Sequence, residues 1–417
     1  MPRTIPALPR RLSPPEEQSL SLKVEVITPL FGGSARPREV NETHPVRAAS
    51  VRGHLRFWWR ATTGAAFGSA ADLFNAESRL WGSTEQPGQV RVEVQVLNQG
   101  ESMPCAEPEP NGKGGYKALP RFLHQWPPYA LHPFQGQDYG KANEIPPAHA
   151  LVGVTFLLKL SGPRNALEEV QPALAAWLKY GGLGARTRRG CGSVASDWQD
   201  PDAGNLAEKA DGSRLTVLAG SRQFAGSKTD KAVAAWRAAV ELYRDFRQNR
   251  QKGFARNPGQ NQRPGRSRWP EPDSVRRLVG HHSPRHSPRK ELPNGYPRAE
   301  LGLPIIFHFK DNREGDPDQA TLQGPRDGQR RFASPVITRA IKVEGGYRPL
   351  LLILNAPHVW DFGPLDLKCE HSRASISQEQ IRLTPAERAQ VHPLGKNETR
   401  EALAAYVLSQ GWQEVSA

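Results

Sequence analysis

The sequence predicts an α+β protein built from two ferredoxin-like domains with long insertions. Three observations carry this. Alternating apolar and polar residues mark strands at Leu22–Ile27, Val90–Leu97 and Leu151–Leu160, as half-buried strands require. Helical spacing runs from about Ala48 to Ala66 and again from Asn165 to Tyr180. With a last strand near Gly192–Trp198, the order is β-α-β-β-α-β, an antiparallel sheet backed by two helices. At 417 residues the chain exceeds one ordinary core. It divides into a mobile, Pro-rich start (1–20), a first domain (21–200) and a second (201–417).

Taken in order, LKVEVI is closed by Thr28-Pro29, and a Gly-Gly loop leads to the first helix. Residues 98–148 are rich in Gly, Pro and aromatics without clear period and read as an insertion. The second helix opens on Asn165 as N-cap, carries one discordant Pro172, and stops at Gly181-Gly182. The second half is less regular. A short strand is expected at Leu215–Leu218, a helix at Thr229–Asn249, strands at Leu303–Phe309, Ser334–Val343 and Arg348–Asn355, and mostly helix at Thr384–Gln410. Between them, 251–298 holds 11 Lys or Arg against three acids, with eight prolines. It is a basic insertion and supplies most of the charge excess.

Fifty-six Lys and Arg against 42 Asp and Glu leave a formal charge of +14, which calls for a polyanionic partner, nucleic acid first. The three cysteines, Cys105, Cys191 and Cys369, have no CxxC pairing, so neither a disulfide framework nor a zinc ribbon is supported. With no signal-like N-terminus and no run of 18 apolar residues, the expectation is a soluble cytoplasmic protein without membrane contact.

Val51, Leu55, Trp58 and Thr62 share one stripe of the first helix, and Arg52, Arg56 and Arg60 form a second beside it, with Trp59 between. No acid four residues away within the helix pairs these arginines. Guanidinium forks suit a phosphate chain, and a neighbouring aromatic edge suits a base. A solvated cationic face over buried tryptophan is the plainer alternative. A second candidate is the glycine loop GGLGARTRRGCGSV, in which Gly182 and Gly184 permit close backbone approach to phosphate while Arg186, Thr187, Arg188 and Arg189 supply charge and hydroxyl. It lacks the GK[ST] ending of a nucleotide-hydrolysing loop. Third is the tract Gly265–Lys290, with Arg266, Arg268 and Arg276 as candidate RNA contacts. Its His281, His282 and His286 lie in a Pro- and Ser-rich stretch without cysteine or a nearby acid pair, which reads as an unstructured basic arm and not as a metal site. Asp273 is placed to cap a short helix through Leu278. His44 and His54 are the histidines near the basic helix; His54 would be the base of a ribonuclease, but no second acid or base stands at a fixed spacing.

TPLFGG at Thr28–Gly33 followed by PVRAASVRGHLRFWWRAT at Pro45–Thr62 resembles the opening block of the first subunit of the Cmr module, within the RAMP superfamily of type III-B CRISPR effectors. The glycine loop, the tract GRSRWPEPDSVRR, GLPIIFHF and RFASPVITR agree in order, so the resemblance spans about residues 22–355. It implies RRM-related domains and a ribonucleoprotein subunit near the 3′ region of a guide RNA that helps capture single-stranded target RNA. Its partners would be guide RNA, target RNA and other effector subunits, with no cofactor and no catalytic role. Carried over residue by residue, the RNA contacts would include Arg47, Arg52, His54, Arg56, Trp58 and Arg60, then Arg186, Arg188 and Arg189. The competing expectations are a metal-independent guide-processing endoribonuclease and a purely architectural subunit. The His- and Pro-rich stretch His281–Arg289 departs from the family pattern and is expected to be mobile.

Overall fold

The computed structural model describes residues 17–117, 119–198, 218, 220–248, 267–309, 311–370 and 372–415. Of the strand expected at Leu215–Leu218 only Leu218 is among these residues; Arg266 and the start of the basic insertion lie outside them, as does 1–16.

In the first domain, β1 (Gln18–Val26), α1 (Ala48–Ala61), α2 (Ala70–Trp81), β2 (Arg91–Asn98), β3 (Thr155–Gly162), α3 (Arg164–Tyr180) and β4 (Val194–Ser196) follow in that sequence. The sheet is antiparallel with order β2-β3-β1-β4, the ferredoxin-like arrangement. Val24 and Val26, with Phe156 and Leu158, point inward to meet Val51, Leu55, Trp58 and Trp59 of α1 and Leu174 and Trp177 of α3. Two expectations shift. The boundary expected at residue 20 moves toward the N-terminus, because Gln18–Leu20 already pair with Leu160–Gly162 of β3. The first helix stops at Ala61, where Thr62 leaves helical geometry and a 3-10 turn follows. Helix α2 is an addition to the expected order; Ser69 caps it by accepting from the Asp72 amide. Pro172 is accommodated inside α3.

The second domain repeats the order. Its elements are β5 (Arg222–Ala225), α4 (Ala232–Gln248), α5 (Glu271–Val279), β6 (Ile305–His308), β7 (Gln319–Gln323), β8 (Val336–Val343), β9 (Gly346–Ile353), β10 (Leu365–Cys369), β11 (Ser372–Ile376), α6 (Thr399–Ser409) and β12 (Gln413–Val415). Strands β8-β9-β5-β12 form the ferredoxin-like sheet, and β6-β7-β10-β11 form a separate inserted sheet. Thus Leu303–Phe309 belongs to the insertion, not to the domain's central sheet. The helix expected over 384–410 is broken, with helical pieces at Pro385–Ala389 and Thr399–Ser409.

Opposite faces of the second sheet serve two cores. Phe224, Val336, Leu351 and Ile353 pack on the second domain's helices, while Ile337, Leu350 and Leu352 join the core of the first domain. Sheet packing against the neighbouring domain makes the two halves one body. Residues of the 98–148 insertion form part of a small core around Phe31, Trp126 and Trp236. Among the described residues no helix is long and apolar enough to cross a membrane.

Candidate nucleic-acid interface

Helix α1 sorts its residues by burial as its apolar periodicity requires, but not as the stacking idea does. Val51, Leu55, Trp58 and Trp59 are all buried. The Trp59 indole donates to Glu169 at 3.2 Å, and the Trp58 ring lies 5.9 Å from that of Tyr180. Two buried indoles anchor the helix by apolar area. Neither ring is open to a base, which corrects their assignment as direct RNA contacts. The open ring is Phe57, 44% exposed, with the Arg188 guanidinium 5.6 Å from its centroid.

The arginine row is also not uniform. Arg52 is exposed, as is Arg47 at the N-cap. Arg56 and Arg60 both turn to one carboxylate, donating to Glu77 of α2 at 2.8 and 2.6 Å. The Glu77 side chain is 2% exposed. Burial pushes its carboxyl up, but hydrogen bonds and charge from Arg60 and Arg56 outweigh this and hold its pKa below the ordinary glutamate value. One carboxylate against two guanidiniums leaves a net positive pair with fixed forks. The missing acid is supplied by a helix 21 residues downstream of Arg56, beyond the reach of an i+4 rule.

The glycine loop and the TPLFGG segment form one hydrogen-bonded unit. Leu183 donates to the Gly192 carbonyl, Ala185 to Phe31 and Gly192 to Pro29, each at 2.8 Å. Thr28 Oγ1 donates to the Gly190 carbonyl at 2.6 Å and accepts from the Ser193 amide at 2.8 Å. Gly184 (φ +76°) and Gly192 (φ +61°) occupy left-handed backbone, and a Cβ on either would meet a carbonyl, of Phe31 and Leu183 respectively. Gly182 is buried against Gly192. These glycines therefore allow chain to approach chain, a different role from the expected cradle for phosphate.

The loop's arginines reach mainly into the second domain. Arg188 donates to the Ser334 carbonyl at 2.6 Å, and Arg189 to Val336 at 2.8 Å while packing 4.6 Å from the Tyr243 ring. Thr187 opens a short 3-10 turn and is half-buried. Arg186 sits in left-handed backbone, and its buried Nε has no partner among the described residues. Burial lowers the pKa of Arg186 and Arg188. In return, Arg339 of β8 enters the first domain, 1% exposed. It donates to the carbonyls of Gly181, of Leu178 at 3.3 Å, of Val194 at 2.7 Å and of its own neighbour Ala340 at 3.0 Å. Burial pulls its pKa down to about 9, which leaves it charged at neutral pH.

The tract from residue 267 onward is ordered, against expectation. Arg276 is buried, pairing with Asp316 at 2.9 Å and Asp273 at 3.1 Å, and is not available to RNA. Asp273 lies within the first turn of α5 instead of capping it. Arg268 is buried, and burial lowers its pKa. His286 meets Asp316 at 2.6 Å and His281 meets Glu370 at 3.1 Å, so acids far off in sequence fix the supposed basic arm. Among the described residues no group of three or more His, Cys, Asp or Glu side chains forms a metal site. His54 is half-buried, and burial lowers its pKa; His44 is exposed.

RRM domains stack bases on rings of the sheet. Here the outward face of the first sheet carries Ser21, Lys23, Glu25, Glu93, Gln95, Leu157 and Lys159. None is aromatic. Helix α1 with its N-cap instead carries exposed Arg47, Arg52 and Phe57, with Arg188 of the glycine loop against the Phe57 ring.

Residues 23–195, about two fifths of the chain, match the model of the RAMP superfamily. The chain is similar to two curated proteins of Pyrococcus furiosus. CRISPR system Cmr subunit Cmr1-1 is 28% identical over 155 residues, 36% of this chain and 40% of that protein. CRISPR system Cmr subunit Cmr1-2 is 38% identical over 82 residues, 18% of this chain and 41% of that protein. The matches thus span about two fifths of those relatives' lengths. Among solved structures, the crystal structure of Cmr1 from Pyrococcus furiosus in its apo form aligns over 95% of this chain and 98% of that one, with a TM-score of 0.48 and 16% identity. A structure of the type III-B Cmr-beta bound to cognate target RNA aligns over 94% of this chain and all of the matched one, with a TM-score of 0.41 and 12% identity.

Proposed function

We propose that this chain is a non-catalytic, RNA-binding subunit of a type III-B CRISPR effector complex, placed near the 3′ region of the guide RNA and helping to capture target RNA. The observation that carries the reading is the junction of α1 with the glycine loop inside the segment that matches the RAMP model. There Arg47, Arg52 and Phe57 are exposed, and Arg188 lies against the Phe57 ring. Cations along an exposed helix suit phosphates, and a single open ring suits an unstacked base. Arg56 and Arg60 contribute field from their site on Glu77. Arg189 serves the domain junction, which gives the loop an architectural share.

The test uses Arg47→Glu combined with Arg52→Glu, since a glutamate at position 56 would face buried Glu77 and unsettle the fold. Anisotropy of labelled single-stranded RNA should show at least about a tenfold loss of affinity. The slope of log affinity against log salt should shrink by about 0.7 for each phosphate no longer neutralised. Unchanged affinity and slope would reject this surface. RNA incubated with the purified chain without metal should stay intact; cleavage would favour the endoribonuclease reading.

A further inference from the structure

The inserted sheet β6-β7-β10-β11 buries one face and leaves the other open. Ile305, Phe307, Leu322, Leu365 and Leu367 turn inward. Strand alternation places Thr321, Gln323, Asp366, Lys368, Arg373 and Ser375 on the opposite face. Its centre repeats the device seen at Glu77. Asp366, 6% exposed in its side chain, accepts from Arg373 at 2.6 and 2.8 Å, from Arg330 at 2.8 Å and from Gln323 at 2.8 Å. Two guanidiniums on one buried carboxylate again leave a positive pair held in fixed orientation.

Two further features distinguish this face from an ordinary solvated surface. Lys368 stands directly opposite Arg373 in the strand register, and both are exposed. Asp366 offsets part of the Arg373 charge, and Lys368 adds a further cation directly across from it. The loop beside it adds exposed Arg326 and Arg331 against exposed Asp327. Next to that loop Phe362 is 46% exposed, its ring 4.8 Å from Phe332. A Cβ on Gly363, the following residue, would come within 3.9 Å of Pro325 in the loop.

We infer that the open face of this inserted sheet, with the loop beside it, is a second contact surface for single-stranded RNA, with Arg326, Arg330, Lys368 and Arg373 on phosphates and Phe362 under a base. Guanidinium forks and an ammonium beside an open ring are the chemistry of single-strand platforms. Such a surface is separate in residues and in element from the α1 junction, but it rests on the same proposed RNA-binding role, and the variants below tell the two apart.

The test is made on the full chain with labelled oligouridine. Lys368→Glu with Arg326→Glu spares the Asp366 cluster. It should weaken binding about tenfold and reduce the salt slope by about 1.4, two phosphates at roughly 0.7 each. Phe362→Ala should weaken binding about fivefold with the slope unchanged, because stacking releases no counterions. The Arg47/Arg52 double variant is run alongside. If it loses affinity while the Lys368/Arg326 variant matches wild type in affinity and slope, the second surface is rejected and the first survives. Normal RNA binding by the Lys368/Arg326 variant with failure to join the effector complex would likewise overturn the inference, making the face a protein contact. Absence of salt-dependent binding by the wild-type chain would reject RNA for both.

Discussion

Replacing Arg339 by methionine removes a guanidinium that joins the second sheet to both ends of the glycine loop. The three carbonyls it bonds outside its own strand, at Leu178, Gly181 and Val194, lie where water has little access, and each left without a donor costs about 1–2 kcal/mol. Methionine fills similar space and relieves the desolvation of a buried charge, which returns part of that loss. The net expectation is a destabilisation of about 3 kcal/mol. The effect should be concentrated at the loop. Hydrogen exchange reads it most directly: protection at the amides of Leu183, Ala185 and Gly192 should fall about a hundredfold, since about 1.4 kcal/mol is a factor of ten, while β1 and β3 amides change far less. Arg339→Lys retains charge but not the fork and should fall between the two. Loop protection within about threefold of wild type in the methionine variant would refute the idea that the second domain holds the loop.

Two more substitutions test the site's supports. Glu77→Gln should cost about 1–2 kcal/mol in chemical denaturation, below the full cost for a buried pair because Arg56 and Arg60 remain partly hydrated. Its pKa is lowered in the folded state, so the stabilisation is present above the unfolded value near 4.5 and is lost as pH falls through the folded one. The glutamine variant should lack that acid-side decline; an identical pH profile would contradict the assignment. Gly192→Ala combines left-handed backbone with a Cβ directed at the Leu183 carbonyl and should cost more than about 2 kcal/mol, whereas Gly153→Ala, at φ +84° with open space around it, should cost about 1 kcal/mol. Equal melting losses would remove the steric part of the explanation.

What could be read from sequence tracks the range of the interactions involved. The strands around Val24, Val94 and Leu158 alternate cleanly because one face is buried, and the first domain's order follows from them. Strand β5 is four residues long and β7 reads QATLQ; neither carries enough pattern to stand out. Separating β6 from the central sheet requires the pairing partners of Ile305–His308, which lie in β7. At the site, Arg52 and the glycine loop are legible as local strings. Two more signals are local and point to features the periodicity alone does not yield: Phe57 falls on the α1 flank shared by Arg47, Ser50 and His54, and Ser69 with Asp72 announces the start of α2. The partners that redefine the arginines are not local. Glu77 reaches Arg56 from another helix, Asp316 reaches Arg276 across 40 residues, and Ser334 and Val336 reach Arg188 and Arg189 across about 146 residues. The charge excess within 251–298 suggests a loose arm, yet Arg276 and Arg289 are tied to Asp273.

The bond from Thr28 to Gly190 spans 162 residues. During synthesis the TPLFGG segment is made early, but the loop it fastens does not exist until the whole first domain has emerged. Closure over that distance must follow formation of the sheet that brings the two segments together, since distant contacts form only after the chain entropy of closing the loop has been overcome. A nascent chain therefore holds the residues of its basic helix before it has the loop that completes the surface.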